Sequence, residues 1–246
     1  MLQLLRHGRG AARGPYEIGS SGILRVVNVI VDLYACRHGD GVALFDTGLD
    51  PRGRPVDRLL EALGAERADV TDVFLTHAHP DHVAAAPLFP HARIRAGAAD
   101  EPRLRGRPVP QKRAERLFRR LLPTPAVAPT DLLHGREEVA LGPDGSTSVL
   151  ALPLPGDTPG AYAFWLRGVL VVGDVMDLRD GRLWPARDFA TDDAAQNLRS
   201  IAGLPAALEG RRLDFVCTSH GGPTPPGRAA ELLADVASRA RSSAGP

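Results

Sequence analysis

Cysteine is nearly absent from this 246-residue chain: Cys36 and Cys217 are the only two, far apart in sequence. A disulfide framework is therefore not expected, and a reducing cytoplasm is the expected compartment. An excess of charge of either sign is also missing, because 30 basic residues face 29 acidic ones. That balance gives no reason to expect nucleic acid or an anionic membrane surface as partner. No run of eighteen apolar residues occurs, so no membrane-spanning helix is predicted. Met1-Leu2-Gln3-Leu4-Leu5-Arg6-His7 has no basic segment followed by an apolar stretch, and is not read as a signal peptide. Lysine is reduced to Lys112 alone, and with the abundant Arg, Ala, Gly and Pro this reads as compositional bias of the genome. What remains is an ordinary globular composition, 43% hydrophobic and 24% charged, long enough for a substantial core. No low-complexity linker or repeat divides it, so residues 1–246 are expected to form one domain.

Against that plain background one stretch stands out. Thr76-His77-Ala78-His79-Pro80-Asp81-His82-Val83 places four metal-capable side chains within six residues, directly after the apolar run Val73-Phe74-Leu75. The apolar run reads as a buried strand. In extended chain, side chains two apart point the same way, so His77 and His79 can reach one ion together. Pro80 suits the first position of a helix, which puts Asp81 and His82 in its opening turn. The spacing thus predicts a sharp strand-to-helix corner with ligands on both sides. Imidazole and carboxylate donors of this kind hold borderline metals such as zinc.

In order along the chain, Leu5-Arg6-His7-Gly8 mimics the Arg-His-Gly of histidine phosphatases but lacks the preceding strand that chemistry needs. Residues 1–22 are glycine-rich and weakly patterned. Ile23–Ala35 reads as one buried strand bent near Asn28, followed by a hairpin turn at His38-Gly39-Asp40-Gly41 and a strand over Val42–Phe45. Asp46-Thr47-Gly48 ends that strand. Val56–Leu63 is predicted to be an amphipathic helix stopped by Gly64. A short turn and then another strand are predicted over Leu88–Ile94. Residues 98–123 are Pro- and Arg-rich, with a helix predicted from about Gln111 to Leu122; its Arg113, Arg116, Arg119 and Arg120 read first as a solvated face and second as a means of steering an anionic substrate. Strands follow over Val139–Leu141 and Ser148–Leu152, then the loop Pro155-Gly156-Asp157-Thr158-Pro159-Gly160. A hairpin of Tyr162–Leu166 and Val169–Val172 delivers Gly173-Asp174. A helix over Asp192–Leu208, a strand over Phe215–Thr218, a second metal-type loop Ser219-His220-Gly221-Gly222 and a closing helix over Ala229–Arg241 complete the chain. Two blocks of strands, each followed by helices, predict two sheets packed face to face with helices outside.

His-x-His-x-Asp-His and the motifs that follow it resemble the metallo-β-lactamase fold superfamily, from roughly Asn28 to Thr224. The resemblance implies an α/β fold, an αββα sandwich of two mixed sheets. It implies a first metal site of His77, His79 and residue 157, a second of Asp81, His82 and His220, and Asp174 bridging the two ions. Asp46 is implied to lie beneath the metal loop and accept hydrogen bonds from it. His134 matches no ligand motif and is placed on the surface; Cys217 reads as a small buried filler. The chain departs from the pattern at 157, where the superfamily's loop usually reads Pro-Gly-His-Thr-Pro-Gly and this one carries aspartate. One reading is loss of the first metal; the other, favoured because a carboxylate oxygen binds zinc at about the same distance as imidazole, is retention of the site with a changed donor.

The activity implied is that of a metallo-hydrolase. Two divalent ions, zinc first and iron or manganese as competitors, would use a bridging hydroxide on a small-molecule ester, thioester, lactone or related substrate, with Asp81 orienting the nucleophile. Two histidines and one carboxylate also match a mononuclear non-haem iron site, so an oxygenase acting on a thiol or persulfide is the alternative. A metal-binding protein without turnover is the second alternative.

Overall fold

In the computed structural model of the chain, residues 13–28, 31–107, 125–142, 145, 147–187 and 191–244 are described. Seven strands make the first sheet: β1 (Arg13–Glu17), β2 (Ile23–Asn28), β3 (Val31–His38), β4 (Gly41–Phe45), β5 (Val70–Phe74), β6 (Arg93–Gly97) and β7 (Asp131–Leu133), side by side in that order. Pairing is antiparallel from β1 to β4 and parallel from β4 to β7. The parallel neighbours are joined by crossovers carrying α1 (Arg54–Ala62), α2 (Pro80–Val83) and α3 (Glu101–Leu104).

The second sheet takes β8 (Glu137–Leu141), β9 (Thr147–Pro153), β10 (Tyr162–Leu166) and β11 (Val169–Gly173) as an antiparallel meander. A separate hairpin of β12 (Met176–Arg179) and β13 (Arg182–Pro185) and the helix α4 (Ala194–Ala207) follow. Then β14 (Phe215–Thr218) pairs parallel with β11, β15 (Gly222–Pro223) edges the sheet, and α5 (Ala229–Ala244) closes the described chain. Both sheets are mixed, and the α/β sandwich is the one the sequence predicts.

Alternation explains the layers. Along β3 and β4, Val31, Leu33, Ala35, Val42 and Leu44 face the α1 side, joining Val56, Leu59 and Leu60. Their neighbours Tyr34, Cys36, Ala43 and Phe45 face the other sheet, where they meet Phe164, Val171 and Cys217. Phe45, Phe74 and Phe164 form the centre of that inner layer, with ring centroids 5.1–6.0 Å apart. Each such ring contributes about 1.5–3 kcal/mol by leaving water. The outer face of the second sheet packs on Ile201 and Leu204 of α4 and Leu232 and Val236 of α5.

Several boundaries differ from the sequence reading. The stretch from Ile23 onward is two strands, β2 and β3, folded back on each other with Asn28 opposite Val31. Only a bend near Asn28 is expected from the sequence; the chain folds back completely there, a reversal that one Asn in a run of Val and Ile signals weakly. β1 lies in the region read as weakly patterned; the turn and strand read over Leu88–Ile94 are present, as a 3-10 turn at Ala86–Leu88 and β6 from Arg93. β12 and β13 were not predicted. The expected helix over Gln111–Leu122, with its arginines, and the segment Leu5–Gly8 lie outside the described residues. No helix among the described residues is long and apolar enough to cross a membrane.

Candidate metal centre

Every parallel strand in this sandwich points its C-terminal end toward one edge, and the polar side chains gather there. β5 ends in the predicted corner: His79 is extended (φ −77°, ψ 149°) and Pro80 opens α2, with Asp81 and His82 in its single turn. From the second sheet, the β9–β10 loop brings Asp157, the end of β11 brings Asp174, and the loop after β14 brings His220. Two groups result, each with ligand atoms within 4.8 Å of one another: His77, His79 and Asp157, and Asp81, His82, Asp174 and His220. All seven residues named from the sequence are therefore brought together.

The distances show how tightly. His77 Nε2 lies 2.9 Å from His79 Nδ1 and 3.3 Å from Asp157 Oδ2, and His79 Nδ1 lies 3.4 Å from the same oxygen. In the second group His82 Nε2 is 3.2 Å from Asp174 Oδ1 and 3.9 Å from Asp81 Oδ2, while His220 Nε2 is 3.0 Å from Asp174 Oδ2. Asp157 is 1% exposed, yet neither of its oxygens has a hydrogen-bond partner among the described residues, and the same holds for His82 Nε2 and Asp174 Oδ1. Buried acceptors left this way are costly unless a cation satisfies them. Imidazole and carboxylate are the donors that divalent ions of the zinc, iron and manganese kind accept, so the residues fit the group the sequence implies.

Asp46 orients the histidines. Its backbone is left-handed at φ 60°, which aims the carboxylate under the corner. Oδ1 accepts from Thr76 N at 2.8 Å; Oδ2 accepts from the Thr76 hydroxyl at 2.8 Å and from His82 Nδ1 at 2.8 Å. Since that hydroxyl donates to Asp46, it must accept from His77 Nδ1, 3.0 Å away. Both rings thus carry their proton on Nδ1 and turn an Nε2 lone pair into the site.

Burial pushes His77 well below its ordinary pKa and His79 down to about 4, so both are neutral donors at neutral pH. Burial, then the charge of Asp174, push Asp157 far above the usual carboxylate range. Burial is the largest single effect on His82 and His220 too, and it opposes their charge. Asp174, together with Asp46 and Asp81 at His82 and with Asp81 at His220, outweighs it and raises His82 strongly and His220 to about 10. A cation held by these residues would favour their deprotonated forms, Asp157 included.

Support reaches further than the ligands. Asp157 and its neighbours are tied to the start of α4: Asp192 N donates to Asp157 O at 2.9 Å, Asp193 N to Gly156 O at 2.9 Å, and Ser200 Oγ to Pro155 O at 2.7 Å. The His220 loop is held by the first sheet, through Tyr34 Oη to Thr218 O at 2.8 Å and Asp32 N to Ser219 O at 2.9 Å. Sequence reasoning missed three of the residues at the site. Asp100 is buried and bonded to both ligand loops. Arg103, buried, pairs with Asp192 at 2.6 Å and adds positive charge near His77 and His79. Asp177 lies close enough to His220 and Asp174 to feel their charge. None sits in a local motif; only a strand-end position hints at Asp100. His134 is exposed and Cys217 fully buried, as predicted.

Comparison with known proteins agrees with this geometry. Residues 27–220 match the Metallo-beta-lactamase superfamily. The chain is 30% identical over 162 residues to the uncharacterised protein YobT of Bacillus subtilis (strain 168), covering 61% of this chain and 64% of YobT. It is 29% identical over 180 residues to a hydroxyacylglutathione hydrolase of Fuscovulum blasticum, covering 69% of this chain and 54% of that protein. The match thus spans less than two thirds of either relative. Among solved structures, the subclass B3 metallo-beta-lactamase BJP-1 of Bradyrhizobium japonicum superposes with TM-score 0.69 at 21% identity, over 97% of this chain and 94% of that one.

Proposed function

The chain belongs to the metallo-beta-lactamase superfamily, and from that premise we propose that it is a hydrolase working with two divalent ions, zinc in the first instance. One observation carries the proposal: seven histidine and aspartate side chains converge in two adjacent groups, with buried ligand atoms that have no hydrogen-bond partner among the described residues. His77, His79 and Asp157 would hold the first ion, and Asp81, His82 and His220 the second, with Asp174 shared between them. Ions held there would polarise a scissile carbonyl and supply hydroxide at neutral pH.

The remaining chemistry belongs to the chain itself. Asp81, 8% exposed and one of the second group, would orient the attacking hydroxide. Asp46 keeps the tautomers of His77 and His82 fixed through each cycle. The likeness to a hydroxyacylglutathione hydrolase puts thioesters first among candidate substrates, with esters and lactones next.

A second reading draws on the composition of the first group, two histidines and one carboxylate, which is also the ligand set of mononuclear iron oxygenases. Elemental analysis of protein purified without added metal, with anaerobic turnover assays, separates the two. Two ions per chain and turnover of a thioester, ester or lactone without oxygen support the hydrolase. A single iron with oxygen consumption on a thiol or persulfide overturns it.

A further inference from the structure

Besides Asp46, a second carboxylate outside the ligand set accepts three hydrogen bonds at this edge: Asp100, in the 3-10 turn Ala98–Asp100 after β6. It is 1% exposed. Oδ2 accepts from Ala78 N at 2.9 Å and from the Thr158 hydroxyl at 2.6 Å, and Oδ1 accepts from Gly160 N at 3.0 Å. Ala78 lies between His77 and His79, and Thr158 directly follows Asp157. One side chain therefore spans the two segments that supply the first group, while its own oxygens are spent on three protein donors. The backbones around it are in contact. A Cβ on Gly97 would fall 2.2 Å from Gly160 O, and one on Gly160 would fall 2.5 Å from Asp100 N and 2.7 Å from its side chain. These approaches seat the Asp157 loop directly against the Gly97–Asp100 turn, and the Asp100 side chain continues the contact to Ala78.

We propose that Asp100 is the positioning residue of the first ion, clamping the Asp157 loop to the His-x-His segment so that the three donors meet at one point. The inference rests on the reading of His77, His79 and Asp157 as a ligand set. Its consequence is selective: no bond of Asp100 reaches Asp81, His82 or His220, so the second ion is independent of it.

Asp100→Asn keeps the shape but places an amide N–H against either the Gly160 N–H or the Ala78 N–H and Thr158 hydroxyl. Thr158→Val removes one bond at nearly constant volume, and Thr158→Ser restores it. Stepwise ion affinities are read by competition with a chromophoric chelator, and the site of each ion by the visible spectrum of the cobalt-substituted protein. Asp100→Asn is expected to weaken the first ion roughly 10- to 100-fold with the second unchanged. Thr158→Val should give a smaller loss of the same kind, and Thr158→Ser near-native affinity. Equal weakening of both ions, or no change in either, overturns the inference. Should Asp100→Asn fail to fold, the Val and Ser pair at 158 decides by the same criterion. Asp157→Ala serves as the control on the underlying reading: if it leaves the first ion's affinity unaltered, the ligand set itself is wrong and the inference falls with it; if it abolishes that ion while the position 100 and 158 variants do not weaken it, only the clamp is wrong.

Discussion

A carboxylate at position 157 changes the charge of the centre more than its shape. In the proposed two-ion centre three aspartates and a hydroxide would neutralise two divalent ions, whereas imidazole at 157 would leave one positive charge. Asp157→His is therefore expected to favour zinc over iron or manganese in competition, and to move the activity profile to lower pH because the attacking water is more acidified. Unaltered metal preference and pH profile would place residue 157 outside the ligand set. A second carboxylate, far from the centre, sets an acid limit on stability. Asp72 is fully buried beside His38 (3.3 Å), the Thr71 hydroxyl (2.7 Å) and Arg95 (2.5 Å). Burial alone would raise it, but these hydrogen bonds and the Arg95 charge together hold it below the usual range. Its folded pKa is the lower one, so its stabilisation is complete above the unfolded value of about 3.9 and is lost as pH falls through and below that. In chelator-treated protein, Asp72→Asn should cost on the order of 2–3 kcal/mol at pH 7 in urea unfolding, with the gap closing toward pH 3. A gap constant with pH would refute the assignment. At this scale the ligands were legible because their spacing is local or their loops carry fixed Gly and Pro neighbours. Asp100 was not, since its partners stand 22, 58 and 60 positions away.

Elements were readable where a turn residue announces itself. His38 to Gly41 and Arg167-Gly168, with φ 52° and 84°, close their hairpins as the sequence suggests. Asp180-Gly181 carries the same left-handed pair, φ 51° and 72°, but its flanking strands are short and polar on one face, so the β12–β13 hairpin went unread. The loop before α4 shows what a glycine can carry. Gly156 sits at φ 144°, and a Cβ there would lie 2.4 Å from both N and Cα of Asn197 in α4. Main chain cannot yield as a side-chain tip can, so Gly156→Ala must push the Asp157 loop off the helix. We expect a loss of more than about 2 kcal/mol in urea unfolding and weaker binding of the first ion. Gly181→Ala, where no atom lies within 4 Å of the added methyl, should cost only about 1–2 kcal/mol of backbone strain and leave ion affinity unchanged. Equal costs at the two positions would show that the loop–helix contact is not tight.

Across the whole molecule, the centre lies on the seam between the two sheets. His77, His79, Asp81 and His82 follow β5 of the first sheet, whereas Asp157, Asp174 and His220 come from connections of the second. Direct bonds already stitch that seam, such as Tyr162 N to Thr76 O at 2.7 Å, and a Cβ on Gly173 would lie 2.6 Å from Thr76 Oγ1. An ion ligated from both sides binds the assembled sandwich and not the unfolded chain, so its binding energy adds to the stability of the fold. At free ion a thousandfold above Kd the gain is about 4 kcal/mol, which for a chain of this size corresponds to a Tm shift on the order of 10 °C. Chelation should therefore lower Tm by that order, and Tm should climb with added zinc in calorimetry. Asp174 touches both His82 and His220 and is the proposed shared ligand, so Asp174→Ala should abolish both ions and flatten the zinc dependence. His79→Ala touches the first group alone and should keep the part of the shift owed to the second ion. A variant at 174 that still gains stability with zinc as the native protein does would show that the carboxylate is not shared and that the two halves are held together without it.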